Sequence, residues 1–237
     1  MTTEEILLDH EGSIDRLWVL VSAAMIFLMQ AGFSLVEAGS VRLKSNSNIL
    51  IKNLFDACIG AVGWYLLGYG FAYGNEDANE FIGDENFAQS DLDGQDEEDA
   101  YYLAWVFQFT FCATAATIVS GSLAERTYLE TYLIYSALMC SFIYPVVAHW
   151  VWHPKGWLQD NDVAAYIDFA GSGAVHLVGG ASGFIGAWIL GSRYDIFKTF
   201  TNPLKQSTLG GAGHLVEMAN NDTKVTAIAR QLFTKYD

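Results

Sequence analysis

Five long apolar blocks are the feature of this sequence that most constrains its fold. They run at about residues 17–41, 49–73, 101–124, 129–152 and 168–190. A helix rises about 1.5 Å per residue, so each block is long enough as a helix to cross a hydrocarbon core of about 30 Å. The blocks therefore predict an all-α polytopic membrane protein with five transmembrane helices, within a membrane domain of residues 17–193.

Composition agrees with this prediction because apolar and charged residues are segregated along the chain. Of the 237 residues, 52% are hydrophobic and 16% are charged, and the formal net charge is −15. Soluble domains mix the two kinds more evenly. The three cysteines, Cys58, Cys112 and Cys140, all lie in apolar blocks, where cysteine behaves as a small hydrophobic residue. They therefore indicate no particular redox compartment.

The first block does not resemble a cleavable signal peptide. It follows an acidic start, MTTEEILLDHEGSID, is longer than the apolar region of such signals, and lacks a clear small-residue cleavage site. We expect it to stay in the mature protein, with residues 1–16 as an extracellular N-terminal segment. This orientation follows from the basic residues, because cytoplasmic connections are usually rich in lysine and arginine. Basic residues follow blocks one, three and five: Arg42, Lys44, Lys52, Arg126, Arg193 and Lys198.

The predicted external loop, residues 74–100, is strongly acidic. Residues 74–99 include eleven acidic side chains and no basic one. Most segments of this kind are only solvated. The alternative is a weak electrostatic funnel that concentrates cations at the outer face, an effect that salt would screen.

Residues 194–237 differ in character from the rest of the chain, since no span-length apolar run follows Phe200. A few apolar residues have the spacing of one side of a short amphipathic helix: Val225, Ile228, Leu232, Phe233 and Tyr236. We expect a cytoplasmic tail that lies on the membrane or on a partner helix.

Polar residues inside the apolar blocks are the first candidates for function, because a charge at mid-membrane costs at least about 2.5–3.5 kcal/mol. The candidates are Gln30, Glu37, Gln108, Asp168 and His176, with His149 near an outer end. On a helix, His176 shares a stripe with small residues, and such stripes are the faces on which membrane helices approach closely. We therefore expect His176 to point into the bundle. It is either a neutral packing histidine or an imidazole that lines a conduction path.

Asp168 and two phenylalanines are candidates at the outer side. Asp168 stands where a helix N-cap is expected, so its carboxylate can accept backbone hydrogen bonds from the first turn. Recruitment of a cation by its charge is a secondary role. Phe107 and Phe111 lie one turn apart in block three, and their ring faces can attract a small cation by about 0.5–2 kcal/mol.

The residues give little support to enzymatic, metal or nucleic-acid chemistry. His149, His153 and His176 suggest a metal site, but carboxylate ligands are lacking there and His153 precedes Pro154 in a loop. The sequence has no Gly-rich phosphate loop in a strand–loop–helix context, no nucleophile elbow and no basic stripe. We expect no metal, no cofactor, no nucleic-acid partner and no enzymatic activity.

Four stretches in order resemble the ammonium transporter, methylammonium permease and Rhesus family. DFAGSGAVHLVGG is similar to the signature at the start of the family's fifth membrane helix. The others are MQAGFSLVEAGSVRLKSNSNILIKN, FQFTFCATAATIVSGSLAER and YPVVAHWVW. The resemblance covers about residues 17–193 and implies the first inverted repeat of an eleven-helix fold.

The resemblance also implies a function, which is ammonium transport. Ammonium would be recruited at an outer site and deprotonated, and ammonia would pass a pore histidine. The matching pore residues are Phe107, Phe111 (a gate), Trp152 (the wall of the recruitment site), Tyr144 (below it), Asp168 (the family's essential aspartate) and His176 (the first of two pore histidines). Implied partners are ammonium or ammonia, the lipid bilayer, and either a homotrimer or a complementary membrane chain. The plasma membrane is expected, with an organellar membrane as the alternative.

This sequence departs from the family pattern because only the first repeat is recognisable. The second pore histidine, the second gating phenylalanine and the serine of the recruitment site have no counterpart, so transport is expected to be incomplete in this chain alone. A truncated gene model, a fragment and one half of a two-chain assembly are all compatible with this pattern. The alternative function is a transporter-derived, non-conducting structural subunit of a larger membrane assembly.

Overall fold

A computed structural model describes residues 3–74, 79–90, 98–159, 166–191 and 193. The predicted tail, residues 194–237, and much of the acidic loop lie outside these residues. Five helical segments are long and apolar enough to cross a membrane, so the prediction of an all-α membrane fold with five spans is confirmed. The spans are Gly12–Ser40, Leu43–Tyr73, Ala100–Leu123, Leu129–Trp152 and Ser172–Leu190.

The five spans are built from eight α-helices. In chain order these are α1 Thr3–Phe27, α2 Met29–Ser40, α3 Asn46–Gly63, α4 Tyr69–Tyr73, α5 Glu98–Leu123, α6 Leu129–Leu138, α7 Tyr144–Trp152 and α8 Val178–Leu190. The first helix begins well before the predicted residue 17. The last span begins at Ser172 and not at the predicted residue 168, because Ala170 and Gly171 have positive φ values of 55° and 76° that no helix can contain.

Three spans contain a π-helical turn, in which one extra residue is accommodated in the helix. These turns are Trp64–Gly68 between α3 and α4, Met139–Ile143 between α6 and α7, and Ser172–Leu177 before α8. The first two lie against each other. A Cβ atom on Gly68 would come within 2.5 Å of the Cys140 carbonyl oxygen, so this contact requires glycine.

The centre of the fold is α5, which packs against α1, α2, α3 and α8. Its buried face consists largely of small residues, among them Cys112, Ala113, Ala115 and Ala116. Small residues let membrane helices approach closely enough for dispersion contacts along the backbone. The position of α5 therefore fixes the helices that carry the outer site.

A charged cluster connects the inner ends of three spans. Glu125 follows α5, and its Oε1 accepts hydrogen bonds from the backbone N–H of Arg42 at 3.2 Å, from Arg42 Nε at 2.8 Å and from Ser45 Oγ at 2.9 Å. Nη1 of Arg193 lies 3.7 Å from the second carboxylate oxygen. Burial alone would raise the pKa of Glu125, but the hydrogen bonds from Arg42 and Ser45 outweigh it, so this pKa lies below its usual value.

Candidate functional site

Three aromatic rings from two spans form a continuous cluster near the end of the molecule that is predicted to face outward. The centroids of Phe107 and Phe111 on α5 are 5.0 Å apart, and their planes are nearly perpendicular. Phe111 also contacts Trp152, the last residue of α7, with the centroids 5.4 Å apart. All three side chains are half-buried. The structure therefore brings together three of the six predicted site residues.

The start of the fifth span lies directly beside this aromatic cluster. Gly171 has φ +76°, a backbone conformation that side-chain-bearing residues rarely adopt. A Cβ atom placed on it would lie 3.8 Å from the Trp152 ring. The turn before α8 at Gly171 therefore lies against the ring of Trp152, and Asp168 is three residues before it in the chain.

Asp168 caps the fifth span from four residues before its first helical residue. Its Oδ1 accepts hydrogen bonds from the Gly173 N–H at 2.7 Å and the Ser172 hydroxyl at 3.2 Å, while Oδ2 accepts from the Ala174 N–H at 3.3 Å. The prediction that the carboxylate accepts hydrogen bonds from the first turn is confirmed. Because the side chain is only half-buried, its charge also acts on the outer surface near the aromatic cluster.

Tyr144 lies deeper in the same helix as Trp152. Eight residues separate them, which is about 12 Å along a helix. Tyr144 is fully buried, its ring lies 6.0 Å from that of Trp64, and its hydroxyl has no hydrogen-bond partner among the described residues. A buried hydroxyl without a hydrogen-bond partner costs free energy, so this position is suited to binding a polar molecule or water.

His176 is exposed among the described residues, so no described helix covers its imidazole, and its place inside a helix bundle stays a prediction. Its N–H donates to the Gly171 carbonyl, five residues earlier, in the π-helical turn. This turn changes the register of the stripe of small residues. Gly179 and Gly183 contact Ile118 and Ser122 of α5, whereas His176 and its neighbour Leu177 remain on the outside.

Sequence reasoning missed a buried polar cluster near the inner side. Oε2 of Glu37 accepts hydrogen bonds from Asn53 Nδ2 at 3.0 Å and from Ser120 Oγ at 2.9 Å. These three residues come from α2, α3 and α5, so the cluster holds three helices together. Glu37 had been singled out as an intramembrane polar residue, but its two partners had not.

Lys52 was wrongly assigned to a cytoplasmic connection. It lies inside the second span, and its Nζ is 4.1 Å from the centroid of the Tyr132 ring. The Tyr132 hydroxyl donates a hydrogen bond to Oδ2 of Asp56, which is fully buried. The spacing of Lys52 and Asp56, four residues apart within one span, was the signal that could have revealed this pair.

The two histidines near the end of α7 lie together. The rings of His149 and His153 are stacked, with their centroids 4.3 Å apart. Within the described ranges, no three histidine, cysteine or acidic side chains are grouped so that they could hold a metal ion.

Comparison with known proteins identifies the family. A profile of the Ammonium Transporter Family matches residues 17–212. The chain belongs to the ammonium transporter family. It is 44% identical over 198 residues to ammonium transporter 1 member 3 of Solanum lycopersicum, an alignment that covers 81% of this chain and 42% of that protein. It is 41% identical over 187 residues to ammonium transporter 3 of Dictyostelium discoideum, covering 79% and 41% of the two chains.

Solved structures show the same fold. The structure of a sensor Amt protein superimposes with a TM-score of 0.71 at 34% identity, covering 77% of this chain and 45% of that one. Candida albicans Mep2 superimposes with a TM-score of 0.66 at 26% identity, covering 77% and 40%. The chain is thus an integral multi-pass membrane protein, and it spans about two fifths of the length of the curated relatives that it matches.

Proposed function

We propose that this chain forms one wall and the outer mouth of an ammonium conduction path. The observation that carries the proposal is the contact chain from Phe107 through Phe111 to Trp152, beside the turn that holds Asp168. Aromatic ring faces attract a cation by about 0.5–2 kcal/mol, and more where water is excluded. The half-buried Asp168 carboxylate adds a negative charge next to the same rings.

Passage beyond the mouth has to avoid a bare charge. Burying an isolated ammonium ion in a low-dielectric medium costs tens of kcal/mol, whereas a neutral amine costs far less. An ammonium ion held at the aromatic cluster would therefore transfer one proton to water at the mouth before ammonia enters the apolar lumen. Trp152 and Asp168 hold and attract the ion in this scheme, while Phe111 separates the mouth from the interior.

His176 lies one helical turn further in than Ser172, on the same span as the Asp168 cap. A neutral imidazole donates a hydrogen bond from one ring nitrogen and accepts one at the other, so it can contact ammonia or pass on a proton. In lipid, an exposed imidazole is unfavourable. We therefore propose that a complementary membrane segment covers this face of the fifth span and completes the path.

The exposed face of α8 favours assembly with such a segment. Three side chains of α8 are each more than two thirds exposed: Phe184, Trp188 and Ile189. They belong to the same membrane span as the exposed His176. The same face is compatible with the alternative function, a non-conducting subunit of a larger assembly. A homotrimer and a location in the plasma membrane stay predictions.

Uptake of labelled methylammonium by cells that lack their own ammonium transporters tests the proposal. The chain should be expressed alone and together with the remaining part of a full-length relative, such as the Solanum lycopersicum protein. We expect uptake above background only in the combined case, and its loss on His176→Ala. Leu177→Ala, at the exposed neighbouring position, is the matched control and should retain uptake.

Two outcomes would contradict parts of this proposal. Uptake that persists in His176→Ala would contradict the role of the imidazole in the path. Purification in mild detergent that recovers a stoichiometric partner chain, combined with no uptake under any pairing, would favour the structural subunit instead.

A further inference from the structure

His149 on α7 is completely buried, and both of its ring nitrogens face carbonyl oxygens. Nδ1 lies 2.9 Å from the carbonyl oxygen of Ala72 in α4, and Nε2 lies 2.8 Å from that of Asn79 in the outer connection. A carbonyl oxygen only accepts hydrogen bonds. Both contacts are therefore favourable only if both ring nitrogens carry protons.

A neutral imidazole has one N–H, and an imidazolium has two. A neutral ring at this position would direct a nitrogen lone pair at one of the two carbonyl oxygens in a site without solvent. We propose that His149 is a buried proton-binding site: its imidazolium form ties the outer connection, residues 79–90, to α4 and α7, and loss of the proton releases one of the two ties. This inference does not depend on transport.

The neighbouring groups are consistent with a single positive charge on this histidine pair. The stacked ring of His153 accepts a hydrogen bond at Nδ1 from the Lys155 N–H at 3.1 Å, so that nitrogen is unprotonated. The imidazolium would thus stack on a neutral ring and not on a second charge. The other titratable side chains on the elements packed around the pair are Tyr69 and Tyr73 of α4, Tyr144 of α7, Glu80, Asp84 and Glu85 of the outer connection, and Lys155.

Charge-assisted hydrogen bonds to two carbonyl oxygens offset part of the cost of burying the cation. The acidic composition of the outer connection acts in the same direction. Glu80 is next to Asn79 in the chain, and residues 74–99 contain no basic residue.

The tie at Asn79 belongs to a larger contact between the outer connection and the end of α7. Trp150 Nε1 donates to the Phe81 carbonyl at 2.8 Å, and the Trp157 N–H donates to the Glu80 carbonyl at 3.0 Å. These N–H groups do not titrate at ordinary pH, whereas histidine changes charge between about pH 5 and 8. His149 is thus the point at which pH acts on this contact. Trp152 of the aromatic cluster lies three residues further along the same helix.

Nuclear magnetic resonance of the full chain in lipid nanodiscs, with ¹⁵N-labelled histidine, tests the protonation state directly. We expect one histidine with protons on both ring nitrogens at acidic pH and one proton at alkaline pH, between pH 5 and 9. The chain has five histidines, so single substitutions to glutamine assign this signal. If His149→Gln does not fold, the substitutions at His10, His153, His176 and His214 assign it by elimination.

Hydrogen exchange supplies the second readout. The Gly83 N–H donates to the Phe71 carbonyl of α4 at 2.9 Å and the Trp157 N–H donates to the Glu80 carbonyl at 3.0 Å, so the protection of these two amides reports whether the connection is docked. After correction for intrinsic exchange, we expect protection to fall by about tenfold when His149 loses its proton, as expected for loss of a hydrogen bond from a charged group. His153→Gln should keep this step, and a folded His149→Gln should abolish it. A His149 ring with a single proton across the whole pH range, or a step that disappears with His153→Gln, would overturn the proposal.

Discussion

The contact between α5 and α8 can be tested by comparing two adjacent glycines. A Cβ atom on Gly179 would lie 2.9 Å from Cβ and Cγ2 of Ile118 and 3.0 Å from the Ala115 carbonyl oxygen. On Gly180 the same atom would meet nothing within 4 Å. Alanine at Gly179 must therefore displace backbone or a β-branched side chain, whereas alanine at Gly180 need displace nothing.

The two substitutions share their effect on helix propensity, so the difference between them isolates the helix contact. Alanine is favoured over glycine in a helix by about 0.5–1 kcal/mol, and this applies at both positions. Inserting a methyl group into a packed interface costs about 1–3 kcal/mol. We expect Gly179→Ala to be less stable than Gly180→Ala by about 1–3 kcal/mol.

Unfolding by titration with sodium dodecyl sulphate in mixed micelles, followed by circular dichroism, measures this difference. Gly180→Ala should unfold at or above the wild-type midpoint, and Gly179→Ala clearly below it. Equal midpoints for the two variants would refute the close approach of α8 to α5. A lower midpoint for Gly180→Ala alone would show that the opposite face of α8 is the packed one.

Three further predictions concern the polar contacts. Asp168→Ala should destabilise the chain by about 1 kcal/mol in the same unfolding assay, whereas Asp168→Asn, which keeps an acceptor oxygen, should cost less. Tyr132→Phe should cost about 1–3 kcal/mol because it removes the hydroxyl that donates to the buried Asp56, and Tyr132→Leu, which also removes the ring, should cost more. The pKa of Glu125 lies below its usual 4.5, so the carboxylate stabilises the fold above that pH and this contribution is lost as pH falls through the folded-state value. Unfolding midpoints measured between pH 3 and 7 should fall on acidification, and Glu125→Gln should flatten that fall; an unchanged slope would refute the role of the contact with Arg42.

Features with a local cause could be predicted from the sequence. The five spans follow from the length of the apolar blocks, and the Phe107–Phe111 contact follows from a spacing of four residues on a helix. The hydrogen bonds of Asp168 follow from the preference of a carboxylate for the N–H groups of a first helical turn. None of these requires knowledge of which helices are neighbours.

Features set by contacts between helices could not be predicted in this way. The π-helical turns Trp64–Gly68 and Met139–Ile143 meet at the close approach of Gly68 to Cys140, a contact between two spans that the local sequence of neither span reveals. Lys52 looked like part of a basic connection, because its partner Tyr132 is 80 residues away in the chain. The spacing of Lys52 and Asp56 was a local signal for a buried pair, but the aromatic ring that covers Lys52 could not be found from the sequence.

The π-helical turn Met139–Ile143 divides the fourth span into two halves that face different neighbours. Below the turn, Tyr132 points toward Asp56, and above it His149 and Trp152 point toward the outer connection and the aromatic cluster. Each residue of an α-helix turns the chain by about 100°, so one additional residue sets the angular offset between these two sites. Deleting a single residue from the turn would regularise the helix and rotate its outer half by about that angle, so the inner contact and the outer mouth could no longer form together. The length of this span, counted to the single residue, is therefore as much a determinant of the outer site as the side chains that form it.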